Sequence, residues 1–134
     1  MKKIVFVCLG NICRSPMAEF VMKSLTDQLK IESRATSSWE HGNPIHRGTQ
    51  DIFKKYAISY DRDKTSQQIS AADFADFDYV IGMDESNVRD LKRMAPEDFQ
   101  HKIYQFEEES VPDPWYTGDF DQTYDLVLAG CKKW

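Results

Sequence analysis

The sequence has few of the features that mark exported, membrane-bound or disulfide-stabilised proteins. It contains three cysteines, an odd number that does not suit a disulfide framework. The apolar run near the N-terminus covers only residues 4–7, which is too short for a signal peptide or a membrane span. We therefore expect a cytoplasmic protein that stays reduced and does not bind a membrane.

The chain also lacks an excess of positive charge, a nucleotide-binding motif and clustered metal ligands. A net charge of −5 and a pI of about 5.1 provide no basic field for nucleic acid. No Gly-Lys-Ser/Thr motif follows the first loop, and the histidines are dispersed at His41, His46 and His101. We expect no metal, no cofactor and no nucleic acid partner. Any anion must be held by a local arrangement of residues.

The sequence does contain short apolar strands that alternate with amphipathic helices. Its 134 residues suffice for one domain with a core, which we assign to residues 1–134. Alternation of strands and helices implies crossover connections and a parallel sheet. The predicted fold class is therefore α/β, a single three-layer domain in which a four-stranded parallel sheet has helices on both faces.

Hydrophobic spacing and helix start and stop residues give the element boundaries. The predicted strands cover residues 4–7, 34–37, 79–83 and 102–106. The first helix is predicted to start with Ser15 as cap and Pro16 as first residue, and its apolar face extends to Leu29. Further helical segments are predicted around 52–56, at 70–73, from Asp84 to before Pro96, and at the end of the chain, where Tyr124, Val127, Leu128 and Cys131 share a face; residues 107–120 are predicted as a loop.

The segment between the first strand and the first helix has the composition of an anion-binding loop. Backbone N–H groups in such a loop, and at a helix N-terminus, can converge on a phosphate. Gly10 and Asn11 tolerate the left-handed conformations that a tight cradle needs, and Arg14 can clamp two phosphate oxygens with its planar fork. The loop reads Cys8-Leu9-Gly10-Asn11-Ile12-Cys13-Arg14-Ser15.

A cysteine at the edge of this cradle is a candidate nucleophile. The positive field of the loop favours the thiolate of Cys8, and Ser15 can donate a hydrogen bond to it. Cys8 would then attack a bound phosphorus without a metal. A cysteine followed six residues later by an arginine is a chance pairing in most proteins. Only the strand, the Gly-Asn turn and the Ser-Pro helix start together favour the catalytic interpretation.

Cleavage of an aryl phosphate also calls for an acid. The leaving phenoxide of tyrosine has a conjugate acid with a pKa of about 10, and a positioned acid speeds its departure by about 10²- to 10⁴-fold. Asp113 suits that role, because Pro114 stiffens the turn and Trp115 and Tyr116 supply aromatic walls. A plain Asp-Pro turn explains the same residues equally well. Asp84 is chiefly a helix cap, and if buried it would also brace the loop.

The sequence resembles the low molecular weight protein tyrosine phosphatase family. Residues 7–19 resemble its signature loop, and the resemblance continues in family order through 36–39, 42–44, 73–74, 77–79, 83–87 and 113–116. It implies a four-stranded parallel sheet, no cofactor, and hydrolysis of phosphotyrosine in proteins. It also implies that inorganic phosphate or similar oxyanions bind in the loop. A monomer is the default expectation.

The resemblance implies catalytic roles for three residues. Cys8 would be the nucleophile, Arg14 the phosphate clamp, and Asp113 the general acid and base. The phosphate-binding loop would comprise residues 9–15, namely Leu9, Gly10, Asn11, Ile12, Cys13, Arg14 and Ser15.

The resemblance also implies supporting and regulatory roles. Asn11 would fix the loop with the help of a hydrogen bond from Ser37, and Ser15 would support the thiolate. Cys13 would be the redox partner that forms a reversible disulfide with Cys8. The slot for the substrate ring would be lined by Trp39, Trp115 and Tyr116. Two histidines of mammalian members are missing near Tyr56 and Lys64, so support of the loop is expected to differ there.

Three alternatives remain open. Arsenate reduction on this fold needs a further pair of cysteines, and none occurs between Cys13 and Cys131. Protein-arginine phosphatases share the fold, with a threonine in place of Ile12, so Ile12 favours phosphotyrosine. The third is a non-catalytic module that binds phosphoproteins or senses redox state, although binding alone would need neither the thiol nor the acid.

Overall fold

Four parallel strands form one sheet at the centre of the protein. The computed structural model describes all residues, 1–134. The strands are β1 (Lys2–Cys8), β2 (Leu29–Ala35), β3 (Tyr79–Gly82) and β4 (Ile103–Gln105), and their spatial order is β2-β1-β3-β4. Every neighbouring pair is parallel.

Six helices connect and follow these strands. They are α1 (Arg14–Leu25), α2 (Arg47–Lys55), α3 (Ala71–Asp76), α4 (Glu85–Met94), α5 (Pro114–Thr117) and α6 (Phe120–Lys133), with a 3₁₀ helix at Glu97–Lys102 before β4. None of them is both long enough and apolar enough to cross a membrane.

Alternate residues of β1 face two separate apolar cores, one on each side of the sheet. Ile4 and Phe6 belong to a core of 19 buried residues that includes residues of α1, α2 and α6. Val5 and Val7 belong to a core of eight buried residues that includes residues of α3 and α4. Because side chains of a strand alternate between faces, a wholly apolar strand must be covered on both sides. The predicted α/β class, with helices on both faces of a four-stranded parallel sheet, is confirmed.

The boundary between α1 and β2 differs from the prediction. The helix ends at Leu25, where Thr26 takes an extended conformation, and Leu29 is the first residue of β2 rather than part of the α1 face. The strand predicted at 34–37 is instead Leu29–Ala35. As part of β2, Leu29 packs against the same core that it would have contacted as part of α1. Helical spacing was therefore coincidental at this position.

Other elements differ less. The final helix buries Tyr124, Val127 and Cys131 on one face as predicted, and α4 ends before Pro96. The segment 107–120 is not wholly a loop, because Asp113 caps the one-turn helix α5 through the N–H of Trp115. A proline at the first helical position and an aspartate cap favour such a turn.

The topology points to the carboxyl end of β1 as the place for a ligand. The chain passes from β1 to β2 on one side of it and later returns to β3 on the other side. This is a topological switch point, where parallel sheets open a crevice beyond the strand ends. Cys8 is the last residue of β1 and pairs with Ala35, the last residue of β2.

Candidate active site

The loop from β1 to α1 is held in a conformation that most residues avoid. Asn11 has a φ of 54°, in the left-handed region, which asparagine tolerates better than other non-glycine residues. Helix α1 then begins at Arg14, so that the loop proper covers residues 9–13 and Ser15 lies within the helix.

The predicted helix cap at Ser15 is wrong. Cys13 occupies the cap position and makes no capping hydrogen bond through its side chain. The Ser15 hydroxyl instead contacts Cys8 and the Arg34 carbonyl. Pro16 is tolerated as the third helical residue, because N–H groups in the first turn have no partner within the helix.

The Cys8 thiol is surrounded by hydrogen-bond donors. Its Sγ atom lies 3.1 Å from the Ser15 hydroxyl and accepts hydrogen bonds from the backbone N–H groups of Asn11 and Ser15, at 3.3 and 3.4 Å. The residue is only 3% exposed. Donors that converge on a sulfur stabilise its thiolate form.

The Asn11 side chain is the centre of a buried hydrogen-bond network. Its amide donates to the hydroxyls of Ser15 and Ser33, at 2.8 and 3.0 Å, and its oxygen accepts from the Gln67 backbone N–H. The predicted bond from Ser37 to Asn11 is wrong. Ser37 donates to the Leu9 carbonyl, because it lies beyond the end of β2, whereas Ser33 lies within the strand beside the loop.

A buried carboxylate anchors the far end of this network. The Ser33 hydroxyl donates to Glu19 Oε1 at 2.6 Å, and Glu19 is 3% exposed. Lys23 donates to the other carboxylate oxygen, and the Lys64 ammonium lies 3.8 Å from Glu19. Burial lowers the pKa of Lys64, and the Glu19 carboxylate counters part of that effect. The buried charge is therefore paired, as such groups must be.

Donors outside the loop engage its carbonyl groups. Four carbonyl oxygens are bound in this way: Leu9 by Ser37, Gly10 by Ser66, Ile12 by the His46 N–H, and Cys13 by Thr49. Because the N–H and C=O of a peptide point in opposite directions, carbonyls that are held from outside turn N–H groups toward the inside of the loop. This arrangement suits an anion.

Arg14 lies under the loop and contacts two carboxylates. Its Nη1 donates to Asp84 at 2.6 Å and to the Val111 carbonyl, and its Nη2 lies 3.3 Å from Asp113 Oδ2. Its Nε atom is buried without a partner. Burial acts to lower the pKa of Arg14, but Cys8, Asp84 and Asp113 outweigh it and the pKa is raised. Arg14 therefore stays charged and is fixed in direction.

Asp113 is placed between Arg14 and its own helix turn. One carboxylate oxygen faces Arg14, and the other accepts the Trp115 backbone N–H at 3.0 Å. The side chain is 20% exposed. Asp113 and Cys8 line the same pocket, although 105 positions separate them in the sequence.

The pocket above the loop has apolar and aromatic walls. Trp39 and Tyr116 are 78% and 77% exposed, and Trp115 is 56% exposed, which is unusual for such large side chains. Glu40, which the sequence did not single out, lies over Gly10. The pocket is lined by Cys8, Leu9, Gly10, Ile12, Cys13, Trp39, Glu40, Asp113, Trp115 and Tyr116.

The three cysteines are free and differ in setting. Cys13 lines the pocket beside Cys8, and burial, followed by the charge of Cys8, raises the pKa of its thiol. Cys131 lies on the buried face of α6, and burial raises the pKa of its thiol to about 12. Both thiols therefore stay protonated at neutral pH.

The structure thus brings together the candidate residues from distant segments. Arg14, Asn11 and Ser15 are buried beside the pocket rather than on its surface. Sequence reasoning did not identify the supporting residues Ser33 and Glu19. The signal for Ser33 was a small polar residue near the end of a strand beside β1, but the predicted strand began one residue too late to include it.

We expect Ser33→Ala to destabilise the protein by about 1–3 kcal/mol, because one buried Asn11 N–H loses its acceptor and Glu19 Oε1 loses its hydrogen bond from the hydroxyl. Urea denaturation monitored by circular dichroism measures this change. Ser24→Ala is the matched control, since Ser24 is exposed and bonds only to a carbonyl of its own helix. An equal effect of both substitutions would contradict the network.

Comparison with known proteins identifies the family. The family model for low molecular weight phosphotyrosine protein phosphatase matches residues 3–134. The low molecular weight protein-tyrosine-phosphatase PtpA of Staphylococcus aureus is 45% identical over 143 aligned positions, which cover 99% of this chain and 91% of that protein.

Similar solved structures support the same family assignment. The low molecular weight protein tyrosine phosphatase SP-PTP of Streptococcus pyogenes is 62% identical with a TM-score of 0.98, and the match covers 100% of this chain and 91% of the other. DARP, a Drosophila arginine phosphatase, is 32% identical with a TM-score of 0.88, over 98% and 94% of the two chains. The chain described here belongs to the low molecular weight phosphotyrosine protein phosphatase family and is an enzyme of the protein-tyrosine-phosphatase class.

Proposed function

We propose that the protein hydrolyses phosphotyrosine in other proteins through a phosphocysteine intermediate on Cys8. The observation that carries this proposal is the convergence of Cys8, Arg14 and Asp113. Cys8 and Asp113 line one pocket, and Arg14 contacts Asp113 from beneath it. A nucleophile, a phosphate clamp and a proton donor are the three groups that metal-independent phosphoryl transfer requires.

In the first step, the Cys8 thiolate attacks phosphorus and the bond from phosphorus to the phenolic oxygen breaks. Backbone N–H groups of the loop that face inward, together with the Arg14 guanidinium, stabilise the charge on the phosphoryl oxygens. Asp113 gives its proton to the departing phenolic oxygen.

In the second step, water attacks the phosphorus of phosphocysteine. Asp113, now a carboxylate, accepts a proton from that water, and the bond from phosphorus to sulfur breaks. Cys8 leaves as a thiolate, which the Ser15 hydroxyl and the surrounding N–H groups stabilise. Inorganic phosphate is released, and the enzyme returns to its starting state.

The pocket walls favour an aromatic substrate. Trp39, Trp115 and Tyr116 surround the mouth and can stack on or pack against a phenyl ring. A phosphoserine side chain offers no ring to these walls. Exposed aromatic residues around a catalytic pocket also provide a contact surface for the substrate protein. We therefore assign tyrosine-phosphorylated proteins as partners.

Replacing Asp113 should impair substrates with poor leaving groups most. We expect Asp113→Ala to lower kcat/KM for phenyl phosphate by about 10²- to 10⁴-fold, because the phenoxide then leaves unprotonated. The kcat/KM for nitrophenyl phosphates should fall less, since nitrophenoxides are weaker bases and need less protonation. The measurement is the slope of log kcat/KM against the pKa of the leaving phenol, for a series of substituted phenyl phosphates. Asp27→Ala, which removes an exposed carboxylate outside the pocket, is the control. A loss independent of the leaving group would count against Asp113 as the acid.

A second candidate is protein-arginine phosphatase activity, which the likeness to the Drosophila arginine phosphatase favours. Ile12 lies in the pocket and offers an apolar contact rather than a hydroxyl. We expect turnover of a phosphotyrosine peptide to exceed that of the matching phosphoarginine peptide by tenfold or more. A preference for phosphoarginine would overturn the phosphotyrosine assignment and leave the cysteine mechanism intact.

We further propose that Cys13 protects the nucleophile from irreversible oxidation. Peroxide oxidises the Cys8 thiolate to a sulfenic acid and releases hydroxide. The Cys13 thiol then attacks that sulfur, giving a disulfide and water. Burial and the charge of Cys8 raise the pKa of Cys13, and oxidation of Cys8 removes the second of these causes. Burial, the larger cause, remains, so Cys13 reacts from its thiol form.

After peroxide treatment, we expect peptide mapping to show a Cys8–Cys13 disulfide and dithiothreitol to restore activity. Cys13→Ser should recover several-fold less activity, because its Cys8 proceeds to sulfinic acid. Cys131→Ser is the matched control and should recover as fully as the unmodified sequence, since Cys131 is buried away from the pocket. Equal recovery of all three proteins would exclude a protective role for Cys13.

A further inference from the structure

We infer that the ring of His46 is a positioning residue for the general acid, which it holds at the correct distance from the phosphate loop. The inference rests on the proposed role of Asp113. His46 is the residue before α2, far in sequence from both Cys8 and Asp113. It does not line the pocket.

The His46 ring packs against both ends of segment 115–120, which directly follows Asp113 and Pro114. It stacks on Phe120, with ring centroids 5.1 Å apart and an angle of 17° between the planes. It meets Trp115 edge to face, with centroids 5.6 Å apart and an angle of 82°. Trp115 is the second residue of α5 and Phe120 is the first residue of α6, so a single ring contacts both ends of this exposed segment.

Trp115 connects His46 to the general acid, Asp113. Its backbone N–H donates to Asp113 Oδ1 at 3.0 Å. A shift of Trp115 therefore moves the carboxylate or breaks its hydrogen bond. Segment 115–119 is exposed, so few other contacts fix Trp115.

The other side of His46 is tied to the phosphate loop. Its backbone N–H donates to the Ile12 carbonyl at 2.8 Å, and Thr49, one turn further on, donates to the Cys13 carbonyl. His46 thus bridges the nucleophile side and the acid side of the pocket. Such bridging sets the separation between two groups that must act on one phosphate ester.

A glycine makes this packing possible. A Cβ atom at Gly48 would lie 2.4 Å from the ring of Phe120, which is far inside van der Waals contact. Phe120 can therefore stack on His46 only because residue 48 has no side chain. The close approach shows that Phe120 is pressed onto the start of α2.

The His46 side chain has a second role that can be separated from the first. Its Nδ1 accepts the Gly48 N–H at 2.9 Å and so caps α2. Asparagine caps helices well but has no ring, whereas phenylalanine keeps a ring but cannot accept this hydrogen bond. His46→Asn and His46→Phe therefore remove one role each.

The test compares leaving-group dependence and stability for these two variants, with His101→Asn as a control at an exposed site outside the pocket. We expect His46→Asn to lower kcat/KM for phenyl phosphate roughly tenfold or more, while dinitrophenyl phosphate changes less than about threefold. Its melting temperature should stay near that of the parent protein. His46→Phe should instead lower the melting temperature, while its kcat/KM depends on the leaving group as in the parent protein.

The outcomes separate this inference from the proposed function. If Asp113→Ala steepens the leaving-group dependence and His46→Asn does not, the inference is wrong and the role of Asp113 stands. If His46→Asn lowers kcat/KM equally for all substrates, His46 is merely structural and the inference fails. If Asp113→Ala itself leaves the slope unchanged, the proposed mechanism fails, and the inference fails with it.

Discussion

The site depends on one buried amide, the side chain of Asn11. The loop is strained, because Asn11 must adopt a left-handed backbone conformation. The Asn11 side chain offsets this cost through hydrogen bonds to Ser15, Ser33 and Gln67. Ser15 links it to the Cys8 sulfur, and Ser33 links it to Glu19 in the interior. The loop is thus held in shape before an anion arrives, which is what electrostatic preorganisation requires.

This local arrangement gives a chain with a net charge of −5 a site that suits an anion. Arg14 is the only guanidinium in contact with both Asp84 and Asp113, and these carboxylates fix its direction. Asp84 also caps α4, so the arginine is braced by a rigid element. The carboxylates keep the buried arginine paired and charged, and the backbone dipoles of the loop supply much of the remaining positive potential.

The sequence predicts the sheet and the loop well, because both depend on local patterns. The apolar run of β1 and the left-handed turn at Asn11 each have a local cause, whereas Gly10, for which the same conformation was expected, does not adopt it. The helix cap at Ser15 and the bond from Ser37 were wrong because a hydroxyl bonds to whatever the tertiary fold brings near, here Cys8 and Leu9. Contacts across the sheet, such as Ser33 with Asn11, and contacts between loops, such as His46 with Trp115, have no local pattern.

The central claim is that Cys8 is the nucleophile, and it is tested most directly by hydrolysis of p-nitrophenyl phosphate in EDTA under reducing conditions. The account predicts turnover in the parent protein that survives EDTA and disappears in Cys8→Ser, while circular dichroism shows that both proteins are folded. Turnover that persists in Cys8→Ser, or that EDTA abolishes, would contradict the mechanism. A folded but inactive parent protein would instead favour a module that binds phosphoproteins without cleaving them.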